Sequence, residues 1–229
     1  MLKTVLSSDR ERSDDRRRLS PPMRILIADD HPIICLALSE MVASALGPAP
    51  SIQTCGNGDD LLSHLDQGGY ELLVVDLQMP GKLRSVALLE AIARRSPGAM
   101  TVVYTGCPHP SLALAAMDLG IKGYVLKASG PDVAVQAIKS VAANSTFVDP
   151  ALDIELARAH PWHQLTSGER QVLLALARGG NLQAIAIDSG RSYKTVTTHK
   201  YNALQKLGLR SNAELGPYLA AHGLDYLLD

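Results

Sequence analysis

Short apolar runs alternate with helix-length segments along residues 23–145. Five of these runs have the continuous apolar character of strands that are covered on both faces, and Gly and Pro mark the joins between elements. A crossover between parallel strands needs about a dozen residues or more, so this order predicts an α/β domain with a doubly wound parallel sheet of five strands. The predicted strands are 25–28, 52–55, 72–75, 101–104 and 124–126, and the predicted helices are 32–46, 59–65, 86–95, 111–119 and 132–143.

Residues 164–229 have a helical pattern and predict a small all-α domain. Thr166 and Glu169 have capping-box spacing before the first helix, and Ser211 and Glu214 repeat that spacing before the last. A short helix, a turn with glycine and a longer helix together predict a helix-turn-helix. The predicted helices are 170–177, 182–188, 193–207 and one that follows Ser211.

Two segments lie outside these predicted domains. Residues 146–163 contain Pro150 and Pro161 and are interpreted as a linker, with a helical turn near 154–159. Residues 1–22 are polar and have no apolar period, so we expect a disordered tail, to which we assign no function.

The net charge of −1 conceals an uneven distribution along the chain. Residues 23–150 hold 8 Lys and Arg against 12 Asp and Glu, whereas residues 164–211 hold 7 against 2. The second segment therefore has the charge to face a polyanion such as DNA. A solvated helix face is the alternative interpretation of the same charges.

Cysteine usage and apolar content indicate where the protein works. The 3 cysteines, Cys35, Cys55 and Cys107, are an odd number without metal-ligand spacing, which favours a reduced, cytoplasmic protein. The longest stretch without a charged residue, 96–117, is interrupted by Pro and Gly, so we expect no membrane-spanning helix. A secretory signal is not expected either, because the first residues lack an apolar core.

Charged and hydroxyl side chains follow the predicted strands at the sheet edge where parallel sheets bind ligands. Asp29 and Asp30 follow the first strand, Asp76 the third, Thr105 the fourth and Lys127 the fifth. Carboxylates at close range raise one another's pKa unless a cation compensates their charge, and carboxylate oxygens together with waters favour Mg²⁺. The sequence therefore predicts a magnesium site with an ammonium group beside it.

This combination of groups suits phosphoryl transfer. A metal ion and Lys127 would neutralise the equatorial oxygens while a carboxylate attacks the phosphorus in line. Asp76 is the predicted nucleophile because its strand is central, and the product would be an aspartyl phosphate. Taken singly, each residue has a structural alternative: Asp29 or Asp30 and Thr105 as helix caps, and Lys127 as a surface lysine.

Residues 24–145 resemble the receiver domain of two-component response regulators, which has a flavodoxin-like fold. The resemblance rests on segments 25–32, 74–81 and 123–127 and on Thr105. Two positions depart from the family pattern: Ala128 follows the lysine where many receivers have proline, and Ser85 replaces a common glycine. Neither departure removes a group with a chemical role.

The resemblance to receivers implies a role for each site residue. It implies that Asp76 accepts phosphate from a sensor histidine kinase and that Asp30, Asp76 and the Gln78 carbonyl bind Mg²⁺, with Asp29 helping through water. It also implies a switch in two parts, in which a hydroxyl turns toward the phosphoryl group and an aromatic ring follows inward. The switch residues are Thr105 and Tyr124.

The longest predicted helix, 193–207, divides into two sides at 3.6 residues per turn. The mainly apolar side is expected to face the core, and the other side has side chains that suit a major groove. Threonine can meet a base edge or a thymine methyl group, tyrosine can stack or bond to phosphate, and lysine can meet phosphate. The core side holds Val196, His199, Lys200, Ala203 and Leu207; the predicted DNA contacts are Lys194, Thr197, Thr198, Lys200 and Tyr201.

Residues 165–215 resemble the LuxR-type helix-turn-helix. The motifs that carry the resemblance include 165–166, 184–186, 194–196 and 206–208. A receiver followed by this unit is the layout of NarL/FixJ-family regulators, which implies a transcription factor that binds DNA as a homodimer. Ser189 and Arg191 stand where the family usually has Leu and Ile, and this polar pair either weakens helix packing or brings Arg191 to the phosphate backbone.

Two other functions use the same residues. A phosphatase with Asp76 as its nucleophile would need an acid two residues later, and Gln78 cannot protonate a leaving group. We therefore predict no enzymatic activity beyond self-phosphorylation. A regulator that acts without phosphate, by pairing with another regulator, remains a second alternative.

Overall fold

The computed structural model of the protein describes residues 22–47 and 50–228. The predicted disordered tail at 1–22 lies outside the described residues except for Pro22.

A parallel sheet with strand order β2-β1-β3-β4-β5-β6 forms the centre of the first domain. Residues of β3 and β5 are buried along their whole length because helices cover both faces of the sheet. The prediction of an α/β domain with a doubly wound parallel sheet is confirmed. The strands are β1 Arg24–Ala28, β2 Ser51–Cys55, β3 Leu72–Val75, β4 Met100–Thr105, β5 Gly123–Leu126 and β6 Phe147–Val148.

The predicted number of five strands is wrong, because the sheet has six. The added strand, β6, pairs with β5 through Phe147 opposite Gly123 and Val148 opposite Tyr124. It lies inside the segment that was interpreted as a linker. A strand of two residues is too short to show a pattern of apolar and polar positions. It forms because its backbone pairs with the edge of β5.

Five helices flank the sheet and form two separate cores. Helices α1 and α5 contact each other and cover one face, whereas α2, α3 and α4 cover the other. Both cores are mainly aliphatic, as expected from an aromatic content of 4%. The helices are α1 Pro32–Leu46, α2 Gly58–Gln67, α3 Ser85–Arg95, α4 Pro110–Asp118 and α5 Pro131–Ala142.

The C-terminal part is all-α, as predicted, and contains the helix-turn-helix. Side chains of Asn181 and Ser192 accept hydrogen bonds from the first turns of α8 and α9, and Gly208 ends α9 in a left-handed conformation. A 3₁₀ turn at Pro161–Gln164 places Trp162 in the core. The helices are α6 Ile154–Ala159, α7 Ser167–Ala177, α8 Leu182–Asp188, α9 Tyr193–Leu207 and α10 Leu215–Ala221.

One of the two predicted capping boxes forms. Thr166 and Glu169 exchange the reciprocal hydrogen bonds that begin α7. The prediction for Ser211 and Glu214 is wrong, because Ser211 caps no backbone N–H and its hydroxyl contacts the Glu214 carboxylate instead. A 3₁₀ turn at Asn212–Glu214 precedes the last helix, so the backbone is already curved where the box would form.

The two domains meet where the C-terminal segment, residues 222–228, approaches α4. The Ser111 hydroxyl donates to the His222 carbonyl at 3.0 Å, and buried Gly223 lies so close to His109 that an added Cβ would be 2.2 Å from its Cβ. Tyr226 packs against the cores of both domains. Helix α6 also packs along α4, so two separate segments contact this one helix of the first domain.

Among the described residues, no helix combines the length and the apolar character needed to cross a bilayer.

Glu169 is expected to stabilise the helical domain through its charge. Burial raises the pKa of this carboxyl, but the Lys206 ammonium and the Thr166 N–H and hydroxyl outweigh burial, so its pKa lies below the ordinary value. The stabilisation is therefore present above the ordinary carboxyl pKa and is lost as pH falls through the lowered one. We expect Glu169→Gln to reduce the free energy of unfolding by about 2 kcal/mol at pH 7, and by less at acidic pH. Urea titrations across pH check this, and an equal loss at every pH would contradict it.

Candidate functional site

A lysine bridges two buried carboxylates at the carboxyl edge of the sheet. Lys127 Nζ lies 2.7 Å from Asp29 Oδ2 and 2.7 Å from Asp76 Oδ2. The two carboxylates are 2% and 3% exposed, so water screens this interaction little. Burial lowers the pKa of Lys127, but its hydrogen bonds to both carboxylates outweigh burial and raise that pKa above the ordinary value. The ammonium is therefore charged at neutral pH.

The sheet register places the two carboxylates next to each other. Asp29 follows β1 and Asp76 follows β3, and these strands are neighbours. The Asp76 N–H donates to the Ala28 carbonyl at 2.8 Å, which continues the ladder beyond the last strand residue. The Gln78 N–H donates to Asp76 Oδ1 at 3.1 Å. Both carboxylate oxygens of Asp76 thus have fixed partners.

Asp30 and His31 lie next to Asp29 at this edge of the sheet. Within the described residues, Asp30 Oδ1 is a buried oxygen without a hydrogen bond, and His31 Nδ1 lies 2.8 Å from it. The buried Asp29 Oδ2 has the Lys127 ammonium at 2.7 Å as its partner. Ligand atoms of Asp29, Asp30 and His31 lie within 4.8 Å of one another. Carboxylate oxygens with free lone pairs at this spacing fit a hard divalent cation.

Thr105 and Tyr124 both contact the loop that follows β4. Thr105 is fully buried at the end of β4, and its hydroxyl oxygen accepts the Cys107 N–H at 3.3 Å. The Tyr124 ring is also fully buried, and its hydroxyl donates to the Cys107 carbonyl at 3.4 Å. Residue 107 therefore joins the two side chains that the resemblance to receivers named as switch residues.

A cavity of about 450 Å³ opens beside the site and is lined by both domains. Asp30, Gln78 and Cys107 line it from the receiver, and Asp225 and Tyr226 line it from the C-terminal segment. The Gln78 side chain also lies against Gly106, where an added Cβ would be 2.9 Å from its Oε1. The C-terminal segment is thus a wall of the cavity that borders the predicted phosphorylation site.

The two departures from the receiver pattern have visible consequences. Ser85 has a φ of 50°, the left-handed region in which glycine is favoured, so the substitution leaves a strained residue at the start of α3. Ala128 lies in a 3₁₀ turn, Lys127–Ser129, directly after β5.

The polar side of α9 faces outward. Val196, Ala203 and Leu207 are buried against α7 and α8, as the helical pattern predicts. Thr197 and Thr198 donate their hydroxyls to carbonyls one turn earlier, which leaves hydroxyl lone pairs and methyl groups outward. Of the remaining predicted DNA contacts, Lys194 and Tyr201 are exposed and Lys200 is half-buried.

The turn before α9 has contacts that the sequence did not indicate. Arg191 donates to the Gln171 side chain at 3.1 Å and so ties the turn to α7, whereas Ser189 donates to the Ile185 carbonyl. Tyr193 is 52% exposed at the start of α9 and was missed as a candidate contact. Its aromatic character and its place in the first turn of the helix are signals that identify it.

Two family models match the chain, one for each domain. The model described as response regulator receiver domain matches residues 25–139, and the model described as bacterial regulatory proteins, luxR family, matches residues 163–218. The chain belongs to the response regulators that carry a luxR-family domain. The predicted NarL/FixJ layout is confirmed, and so, at the level of the family, is a phosphorylation-dependent regulator of transcription.

Curated proteins and solved structures show the same layout. The chain is 30% identical to the transcriptional regulatory protein UhpA of Salmonella typhimurium over 194 residues, which cover 83% of this chain and 94% of UhpA. It is 28% identical to the response regulator GacA of Pseudomonas aeruginosa over 88% of this chain and 97% of GacA. An RcsB–DNA complex has 27% identity and a TM-score of 0.58, covering 87% of this chain and 98% of that one. RcsB of Salmonella enterica bound to promoter rprA with the phosphomimetic BeF₃⁻ has 27% identity and a TM-score of 0.61, covering 90% and 98%.

Removal of the bridging lysine is expected to expose the cost of burying two like charges. Lys127→Met leaves Asp29 and Asp76 unpaired, so we expect a loss of about 3–5 kcal/mol in the free energy of unfolding. Because a divalent cation would replace the missing charge, Mg²⁺ should raise the melting temperature of this variant more than that of the wild type. Calorimetry with and without Mg²⁺ measures both effects. Lys139→Met, at an exposed position of α5, is the control, and equal Mg²⁺ responses in the two variants would contradict the interpretation.

Proposed function

We propose that Asp76 accepts a phosphoryl group from a sensor histidine kinase and that this modification controls DNA binding by α9. The observation that carries the proposal is the Lys127 bridge to Asp29 and Asp76, since it holds a buried nucleophile beside a permanent positive charge. The division into a receiver at 23–145, a linker at 146–163 and a DNA-binding domain at 164–229 belongs to the same proposal.

The phosphoryl transfer uses groups that the chain itself positions. A carboxylate oxygen of Asp76 attacks the phosphorus of a phosphohistidine, the P–N bond breaks, and the imidazole leaves with the bonding pair and takes up a proton. Lys127 stays within reach of the transferred oxygens and neutralises part of their charge. Thr105, whose oxygen already accepts the Cys107 N–H, has its proton free to donate to a phosphoryl oxygen.

Mg²⁺ fits the carboxylate side of this site. We propose that Asp30, Asp76 and the Gln78 carbonyl hold it, with Asp29 acting through water. When bound, the ion supplies charge neutralisation for the phosphoryl oxygens. The buried Asp30 Oδ1, which has no hydrogen bond from the part of the chain that the structure describes, supports Asp30 as a member of this ligand set.

The switch is proposed to run through the loop after β4. Turning of Thr105 toward the phosphoryl group breaks its bond to the Cys107 N–H, and Tyr124 is bonded to the carbonyl of the same residue. This loop leads directly into Ser111, which contacts the C-terminal segment. A local change at the phosphoryl group therefore reaches the junction within a few residues of chain.

DNA, a kinase and a second copy of the chain are the proposed partners. RcsB structures described as bound to DNA, and as two dimers on two parallel DNAs, support DNA binding and a homodimer. A symmetric pair reads two half-sites, whereas one helix reads few base pairs. We propose a cytoplasmic location because the DNA and the kinase's phosphohistidine are found there, and three free cysteines agree with it.

Phosphate labelling tests the nucleophile. We expect Mg²⁺ with a small phosphodonor such as phosphoramidate to add one phosphoryl group to the wild type and none to Asp76→Asn, as measured by intact mass. Asp66→Asn, an exposed carboxylate on α2, is the control and should label normally. Label on Asp76→Asn would refute the assignment.

The same samples separate the alternatives. Steady turnover of phosphate esters would favour a phosphatase, and DNA affinity that labelling does not change would favour action without phosphate.

Substitutions on α9 test the DNA-facing side. Thr197→Ala and Tyr201→Ala should relax sequence preference, at about 1–3 kcal/mol for each lost base contact. Lys194→Ala and Lys200→Ala should weaken binding to all sequences and flatten its salt dependence. Arg158→Ala, on α6, is a charge-matched control that should change neither property. Binding isotherms at several salt concentrations measure this, and intact operator binding by a Thr197, Thr198 and Tyr201 triple variant would exclude the proposed face.

A further inference from the structure

We propose that Asp149 is a positioning residue for the phosphoryl-binding lysine and that it couples this lysine to the segment joining the two domains. The inference rests on the proposed phosphorylation of Asp76 and adds a residue to that reaction.

Asp149 bonds to two backbone groups on the same edge of β5. Its backbone N–H donates to the Tyr124 carbonyl at 2.8 Å, and its Oδ2 accepts the Leu126 N–H at 2.9 Å. Its other oxygen, Oδ1, accepts the Ala151 N–H at 2.9 Å. One residue therefore holds the proposed aromatic switch residue and the amide that precedes Lys127.

The contacts of Asp149 keep its carboxylate ionised although it is only 1% exposed. Burial raises its pKa, but hydrogen bonds from the Ser129 hydroxyl and from the Leu126 and Ala151 N–H groups outweigh burial and leave the pKa below the ordinary value. The carboxylate takes the place of a backbone acceptor for β5 just after β6 ends at Val148. Without it, the buried Leu126 N–H would lose its acceptor.

The position of this carboxylate fixes the turn that carries Lys127. That 3₁₀ turn, Lys127–Ser129, begins immediately after Leu126, and Asp149 holds its start through the Leu126 N–H. The Lys127 ammonium must reach two carboxylates at 2.7 Å, so a small movement of the turn changes its distances to both. Asp149 acts on the reaction through this turn and does not contact the reacting atoms.

The same residue begins the connection to the DNA-binding domain. The Leu152 N–H donates to the Asp149 carbonyl at 3.0 Å, and α6 follows at Ile154 and packs along α4. When Lys127 moves toward a phosphoryl group, the turn moves with it, and Asp149 passes that movement to α6. This path is separate from the Ser111 contact, which leaves from the loop after β4.

Asp149→Asn tests the inference because an amide in the same place cannot accept from both backbone N–H groups. With phosphoramidate as the donor, we expect the maximal rate of Asp76 phosphorylation to fall about tenfold. The Mg²⁺ dissociation constant, measured by calorimetry, should stay within about twofold of wild type, because Asp149 supports the lysine and not the metal ligands. General loosening of the receiver would weaken both quantities.

Glu169→Gln is the matched control, since it also neutralises a buried carboxylate that caps a backbone N–H, but in the other domain. It should lower the melting temperature without changing the phosphorylation rate. If Asp149→Asn does not stay folded, Asp149→Glu decides with the same two measurements, because it keeps the charge but moves the carboxylate away from the Leu126 and Ala151 N–H groups.

The outcomes separate the two proposals. A normal rate in Asp149→Asn, or in Asp149→Glu where that variant decides, would overturn the role of Asp149 and leave phosphorylation of Asp76 standing. Parallel losses of rate and Mg²⁺ affinity would do the same. A wild type that cannot be labelled at Asp76 would overturn both.

Discussion

The lysine bridge between two buried carboxylates is the constraint on which the rest of the receiver depends. Asp29 and Asp76 are almost completely removed from water, and burying two carboxylates side by side is costly unless a positive charge lies between them. Lys127 supplies that charge from the end of β5, two strands from β3 and three from β1, and its ammonium reaches both carboxylates. Because one ammonium contacts both carboxylates, a phosphoryl group added to Asp76 would compete for it and change the contacts of all three side chains.

Two structural paths lead from this bridge to the other domain. One follows the loop after β4 to Ser111 and the C-terminal segment, and the other follows the turn after β5 to Asp149 and α6. Both end on α4, which is covered by α6 and lies beside the C-terminal residues. The polar side of α9 points outward in this arrangement, so the junction can set the orientation of the DNA-binding domain while the recognition side stays exposed.

The helix-turn-helix tolerates two polar residues because neither has to enter its core. Val172, Ile185 and Val196 form a small apolar cluster between α7, α8 and α9, and this cluster holds the helices together. Arg191 adds a hydrogen bond to Gln171 at the rim of that cluster, and Ser189 bonds within its own helix. The family pattern is thus kept by packing, although two of its usual apolar positions are lost.

The sequence by itself determined the order of elements and the residues that end the strands, because apolar period and punctuation are local properties. It placed Asp29, Asp76 and Lys127 at one edge, since parallel strands share their carboxyl ends. Only the tertiary structure decided that a sixth strand exists, that Ser211 caps nothing and that Asp149 holds the lysine turn. The sixth strand and the bond from Asp149 to Leu126 join residues 23 or 24 positions apart, and such contacts leave no local pattern along the chain. Ser211 fails to cap because a 3₁₀ turn forms at Asn212–Glu214 before the last helix.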